Sequence, residues 1–264
     1  MLTPTAVTRS AGTAESTVIS SPARGARRAA PVRATARTAA RCSSCAMRAL
    51  CMPQGLSPDE LPKLEALICT ARSVQRGEAL YRSGDRFDNI YAVRSGSMKT
   101  VMAHRDGREQ VTGLRLAGEA LGLDGMSDDV HACSAVALED STVCIVPYPA
   151  LKSLCREINS MQERLHKLLG EQIVREAGQM MVLGSLSADE RVAAFLLDVS
   201  QRNAQRGYSS AEFNLRMTRE DMGSYLGMTL ETVSRTLSRF QKRGLIDTQG
   251  KHIRIVDLEG LQKV

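Results

Sequence analysis

Met217-Thr218-Arg219-Glu220-Asp221-Met222-Gly223-Ser224-Tyr225-Leu226-Gly227-Met228-Thr229-Leu230-Glu231-Thr232-Val233-Ser234-Arg235 is the run on which the reading of this chain turns. Thr218 suits a helix N-cap with Asp221 at N3, and Gly227 ends that helix in a turn. Thr229 caps a second helix expected from Leu230 to Arg243, which Gly244 stops. Two short helices joined by a tight glycine turn make a helix-turn-helix. Beyond it, Leu245-Ile246-Asp247 and His252-Ile253-Arg254-Ile255-Val256 read as strands joined through Thr248-Gln249-Gly250-Lys251, so the motif is winged.

The second helix carries chemistry suited to DNA. Glu231, Ser234, Arg235 and Ser238 share one face, opposite Leu230, Val233 and Leu237. An arginine can pair with O6 and N7 of guanine, and a glutamate can accept from N4 of cytosine, each contact giving about 1–3 kcal/mol of discrimination. A carboxylate in a phosphate-lined groove is costly unless a base donor satisfies it, which makes Glu231 the more telling residue. The plainer alternative is a solvated face with an i,i+4 ion pair between Glu231 and Arg235.

Towards the N-terminus, Asp189 to Ala204 reads as an amphipathic helix carrying Val192, Phe195, Leu196 and Val199. Before it, Ser153 to Leu183 has no proline, and Leu165, Leu169, Ile173, Ala177 and Met180 recur as one apolar stripe. A long helix with so narrow a stripe packs either against a second copy of itself or against its own domain. Gly170 and Gly178 inside it each cost roughly 1 kcal/mol relative to alanine.

From Leu56 to Pro149 short alternating runs are broken by glycines. Ile90-Tyr91-Ala92-Val93, then Arg94-Ser95-Gly96-Ser97, then Met98-Lys99-Thr100-Val101-Met102 is strand, turn, strand, and His104-Arg105-Asp106-Gly107-Arg108 is a further turn. Many short strands imply an antiparallel roll. Ser57 and Pro58 are placed as N-cap and N1 of a short helix before it.

With 264 residues the chain is long enough for two domains and a tail. The formal net charge of +6 arises in the first 41 residues, which hold seven arginines and one acid. The rest is formally neutral, so any DNA binding comes from local arrangement rather than a basic body. The leader, rich in Ala, Thr, Ser, Arg and Pro, is expected to be disordered; a transit peptide or weak contact with DNA are its other readings. Seven cysteines without a secretory signal or a long apolar run point to reduced thiols in a cytoplasmic protein. Cys42, Cys45 and Cys51 lie within ten residues. Such clustering makes a soft-ligand site for zinc or an iron-sulfur cluster, and residue type alone does not separate the two. Cys69 and Cys133 lie among apolar neighbours, and Cys155 fits no ligand spacing.

The order of roll, long helix and winged helix-turn-helix resembles the CRP/FNR family of bacterial transcription regulators. The likeness runs over residues 42–258 and is carried by Leu116-Ala117-Gly118-Glu119 with Gly122, Glu190-Arg191-Val192-Ala193-Ala194-Phe195, Met217-Thr218-Arg219, Tyr225-Leu226-Gly227-Met228-Thr229 and Glu231-Thr232-Val233-Ser234-Arg235. It implies an α+β fold: an N-terminal cyclic-nucleotide-binding-like β-roll, a long dimerisation helix and a C-terminal winged helix-turn-helix. The corresponding divisions are a leader (1–41), a loop and roll (42–152), the helix (153–186) and the DNA-binding domain (187–264).

Within the family the chain is similar to the oxygen-sensing FNR branch. His131-Ala132-Cys133-Ser134-Ala135-Val136 lacks the arginine that pairs with a cyclic phosphate, so no cyclic nucleotide is expected. Cys42, Cys45 and Cys51, with Cys144 93 residues beyond Cys51, match the spacing by which FNR proteins hold a 4Fe-4S cluster. The resemblance further implies a homodimer along the Leu165, Leu169, Ile173 and Met180 stripe, with Glu176 opposing pairing of the cluster-free form. It implies double-stranded DNA with TTGAT-like half-sites read by Glu231, Ser234 and Arg235, and RNA polymerase met by the turn of Arg105, Asp106 and Gly107. No membrane segment is read. Two other functions stay open at this stage: a regulator with structural zinc or no metal that senses another signal, and a cluster-bearing enzyme or electron carrier. The last lacks a nucleophile-base pair or a phosphate loop.

Overall fold

The computed structural model describes residues 41–68 and 70–264. The expectations for the leader up to residue 40 and for Cys69 lie outside the described residues.

Eight strands fold into the roll as two antiparallel sheets. One has the order β1 (Thr70–Val74), β8 (Ser141–Pro147), β3 (Asn89–Ser95), β6 (Ala120–Leu121); the other has β2 (Ala79–Tyr81), β7 (Ser134–Ala137), β4 (Ser97–Ala103), β5 (Glu109–Leu116). Gly96 turns β3 into β4 with φ +84°, and a Cβ there would collide with Ser141, so the turn needs glycine on both counts. Val74, Leu80, Tyr81, Val93, Met98, Cys133 and Val143 fill the interior of the roll, so Cys133 does lie among apolar neighbours.

Three helices flank the roll: α1 (Leu61–Leu67), α2 (Tyr148–Glu157) and α3 (Asn159–Ser185). Helix α1 begins later than Ser57 and Pro58 suggest. Ser57 and Glu60 instead close a turn on themselves, Ser57 N–H donating to Glu60 Oε2 at 2.8 Å, and Pro62 opens the helix proper. The unbroken helix expected from Ser153 is two helices. Ile158 takes extended angles of φ −129° and ψ 107°. Its N–H still closes α2 on Leu154 O, while its own carbonyl accepts from Met161 and Gln162 to open α3. Burying Ile158 in the core beside Leu154, Met161 and Leu165 outweighs helix continuity at a β-branched residue followed by Asn and Ser.

The C-terminal part contains α4 (Ala188–Gln205), β9 (Glu212–Asn214), α5 (Arg219–Leu226), α6 (Leu230–Lys242), β10 (Ile246–Gln249), β11 (His252–Ile255) and α7 (Leu258–Gln262). Thr218 and Asp221 form a reciprocal capping box on α5, Gly227 is left-handed at φ 64°, and Thr229 caps α6. The wing is a three-stranded sheet in the order β10, β11, β9.

The two parts share a core. Val101, Val111, Leu114 and Leu138 of the roll cluster with Val192, Phe195, Met217, Met222 and Phe240. Polar ties flank it: Lys99 pairs with Asp221, and Val111 N–H donates to Ser224 Oγ at 2.8 Å. No helix among the described residues is long and apolar enough to cross a membrane.

Candidate functional site

The four cysteines singled out by spacing are brought together. Cys42, Cys45 and Cys51 lie on a loop of successive tight turns, with Cys45 N–H donating to Cys42 O at 3.1 Å and Gln54 N–H to Cys51 O at 3.0 Å. Ser43 N–H anchors the loop to Glu65 of α1. Cys144 comes from the middle of β8. Its register partners are Ala71 on β1 and Ala92 on β3, so directly opposed side chains on both sides of the thiol are methyl groups. All four cysteines line one cavity of about 20 Å³, together with Met47, Met52, Pro53, Ile68, Ala92, Val93, Val146 and the guanidinium-bearing Arg41, Arg48 and Arg94.

Burial pushes the Cys42 and Cys51 thiols up to about 12. Burial also raises Cys144, against the opposing charge and hydrogen bond of Arg94. Burial outweighs the Arg94 charge at Cys42 and Cys144, so these thiols stay protonated at neutral pH; thiolate ligation would require a metal to displace the protons. No carboxylate or imidazole lines the cavity, so its donor set is four thiols with the thioethers of Met47 and Met52. Among the described residues, no group of three or more His, Cys, Asp or Glu side chains stands in a metal-holding arrangement.

A second candidate surface lies on α6. Val233, Thr236, Leu237 and Phe240 are buried on one side; Glu231, Arg235 and Ser238 are exposed on the other, with Ser234 half-buried. Leu230, expected on the buried side, is 44% exposed because it opens the helix beyond the reach of the core. Glu231 and Arg235 form no ion pair within 4 Å. A backbone N–H at the helix start holds the Glu231 carboxyl below its usual range, helped by Thr229 and the Arg235 charge. Arg235 Nη2 donates to Thr232 Oγ1 at 3.5 Å, and both side chains stay on the exposed face of α6.

Helix α6 is held in place by residues that pattern reading did not single out. Asp189 at the start of α4 accepts from Thr236 Oγ1 at 3.1 Å and from Arg239 Nε at 2.9 Å. Arg191 donates to Leu183 O at 2.7 Å, Leu186 O at 2.9 Å and Leu226 O at 3.1 Å. One guanidinium therefore joins the end of α3 to the end of α5, where carbonyls are otherwise unpaired.

The remaining predicted positions are distributed along the chain. Leu165 is buried in the chain's own core and Leu169 is half-buried, whereas Ile173, Glu176 and Met180 are exposed. Glu176 accepts a hydrogen bond from Gln172. Arg105, Asp106 and Gly107 form the exposed tip of the β4–β5 hairpin, where Asp106 accepts from Arg108 N–H at 3.0 Å.

Comparison with known proteins follows the same division. A model of the Crp-like helix-turn-helix domain matches residues 190–264, and one of the cyclic nucleotide-binding domain matches residues 71–158. The transcriptional regulatory protein btr of Bordetella pertussis is 44% identical over 226 residues, which cover 86% of this chain and 93% of that one. The fumarate and nitrate reduction regulatory protein of Yersinia pestis is 39% identical, covering 84% of this chain and 89% of its own. The structure of FixK2 from Bradyrhizobium japonicum superposes with a TM-score of 0.69 at 29% identity, covering 74% of this chain and 96% of that one. These regulators are not enzymes, and with their names, the two domain matches and the winged helix-turn-helix in view, the chain belongs to the CRP/FNR family of DNA-binding transcription regulators.

Proposed function

We propose that this chain is an oxygen-responsive transcription regulator in which Cys42, Cys45, Cys51 and Cys144 hold a 4Fe-4S cluster. The observation that carries the reading is the meeting of three loop thiols with a β8 thiol at one cavity that offers sulfur donors only. Three guanidinium groups around it suit the negative charge of four thiolates, and Ala71 and Ala92 keep bulk away from Cys144. Bound there, the cluster would supply an oxygen-labile centre. The chain's own part is to tie the Cys42–Cys51 loop to β8.

Helix α3 would then pair with its twin. Leu165 anchors it on the roll, and Leu169, Ile173 and Met180 supply an apolar face, widened by Val174 and Met181; Ile173, Val174, Met180 and Met181 are each more than 60% exposed. Glu176 would face its own copy across that seam and oppose pairing by like charge. The dimer would present two α6 helices one DNA turn apart to an inverted repeat of TTGAT-like half-sites, with Glu231, Ser234 and Arg235 as readers. The Arg105, Asp106 and Gly107 tip would meet RNA polymerase. No cyclic nucleotide takes part, and the protein works in the cytoplasm.

A second reading is a family member with structural zinc or no metal that senses another signal, and the small cavity volume favours it. Metal analysis and the visible spectrum of protein purified without oxygen decide between them. Iron with matching sulfide supports the first reading; zinc, or neither metal, supports the second.

A further inference from the structure

The turn that carries Glu119 touches three parts of the molecule at once. Gly118 has φ +92°, and a Cβ there would meet Leu50 Cβ at 3.1 Å and Met47 Cβ at 3.6 Å, so the cysteine loop rests on this turn. Gly118 N–H donates to Val93 O at 2.7 Å, and Val93 N–H donates to Glu119 O at 3.0 Å. Val93 follows Ala92, the register partner of Cys144. The turn is therefore braced by both halves of the four-thiol cavity.

Its carboxylate is gathered by two other elements. Arg202 of α4 donates to Glu119 from Nε and Nη2 at 2.8 to 3.1 Å, Arg206 at the C-cap of α4 donates from Nη2, and Arg175 of α3 donates at 3.3 Å. Arg202 and Arg206 also reach back to Leu114 O and Ala117 O, each at 2.8 Å. The Glu119 side chain is only 13% exposed. Burial alone would raise its carboxyl, but Arg202, Arg175 and Arg206 outweigh that and hold it below the usual range. A buried anion shared by three cations from α3 and the C-terminal end of α4 is a joint whose geometry depends on its charge: without that charge Arg202 keeps Asp198 at 2.9 Å, while Arg175 and Arg206 lose their carboxylate.

We propose that Glu119 is a positioning residue for DNA binding: it fixes the DNA-binding domain, through Arg202 and Arg206, and the long helix, through Arg175, relative to the cysteine loop. The sense of that link as a response to oxygen rests on the four-thiol reading above. The positioning itself does not.

The test uses the full chain purified without oxygen as wild type, Glu119→Gln, Glu119→Asp, Arg175→Gln and the Glu119→Gln/Arg175→Gln double variant. Iron per chain, thermal midpoint and affinity for a fluorescent duplex bearing the inverted repeat are measured before and after air. Glu119→Gln is expected to keep wild-type iron and to bind the duplex about tenfold more weakly without oxygen, with little further change in air. Glu119→Asp, which restores the charge, is expected to return to within about threefold of wild type. Arg175→Gln, at a partly exposed partner, gives a smaller loss, and combining it with Glu119→Gln adds less than the two single losses together. The role is overturned if Glu119→Gln binds and responds as wild type does. It is equally overturned if Glu119→Gln loses iron or its folding transition while Arg175→Gln is silent. A wild-type chain without iron would sink the four-thiol reading alone, and the duplex affinities of the variants would still decide the positioning claim.

Discussion

The cysteine cavity and the recognition face of α6 are built in opposite ways. The cavity joins residues 93 positions apart, buries Cys42 and half-buries Cys45, Cys51 and Cys144, and depends on the whole roll to bring β8 under the loop. The α6 face comes from one short helix whose exposed side is decided by its own cap and periodicity. A buried long-range site can register a change of state, because altering it disturbs packing. An exposed local face can be carried intact on a domain that moves as a unit. The difference suits a division of labour between sensing and reading, and it predicts that the local structure of each can be broken while that of the other stands.

The largest expected effect is on the support of the reading face. Phe240 is fully buried on the inner face of α6, and Phe240→Ala should cost about 3–5 kcal/mol of DNA-binding-domain stability. Urea unfolding followed by circular dichroism would show an early transition, while iron per chain stays at the wild-type value. Loss of iron in this variant would mean that the two regions are not separable.

Cys144→Ser inverts that result. It should abolish iron binding and lower affinity for the inverted repeat by roughly 100-fold, the scale on which a few kcal/mol moves a two-state equilibrium. The helix-turn-helix should keep its own stability. Unchanged iron would remove Cys144 from the ligand set. Arg235→Ala comes next, costing about 1–3 kcal/mol of discrimination at one base pair with no change in iron or oligomeric state. Equal weakening on specific and scrambled duplexes would reassign Arg235 to phosphate contact.

The smallest effect concerns the tie between the regions. Burial pushes the Asp221 carboxyl up, but Lys99 and Thr218 outweigh it and hold it low. The stability it adds is fully present above about pH 3.9, the usual aspartate value, and is lost as pH falls through the depressed folded value. The advantage of wild type over Asp221→Asn in urea should therefore shrink as pH falls below about 4. A constant advantage would remove the Lys99 pairing as its source.

The same contrast explains what was legible in the sequence. Thr218 with Asp221, Gly227 and Thr229 act within four residues of themselves, so the helices they start or stop stand where the chain alone predicts. The break at Ile158 carries no proline or glycine; the core around Leu154 and Met161 makes it. Ser57 and Pro58 form a plausible helix start, yet Glu60 folds back on Ser57 and the helix waits for Leu61. The short strand β9 exists because Glu212–Asn214 pairs with β11, a partner about forty residues away that no local pattern shows. Spacing and family resemblance single out Cys42, Cys45, Cys51 and Cys144, whereas the contacts of Arg94 with Cys144 and of Glu119 with Arg202 and Arg206 come only from neighbours distant in sequence.

The most direct test of the account is sedimentation of the full chain, purified without oxygen, with iron and sulfide counted and duplex binding measured before and after a pulse of air. About four irons and four sulfides per chain, with a dimer that binds the inverted repeat and comes apart in air, is the predicted result. A chain that holds zinc or no metal, and whose dimer and DNA affinity are indifferent to air, would contradict it.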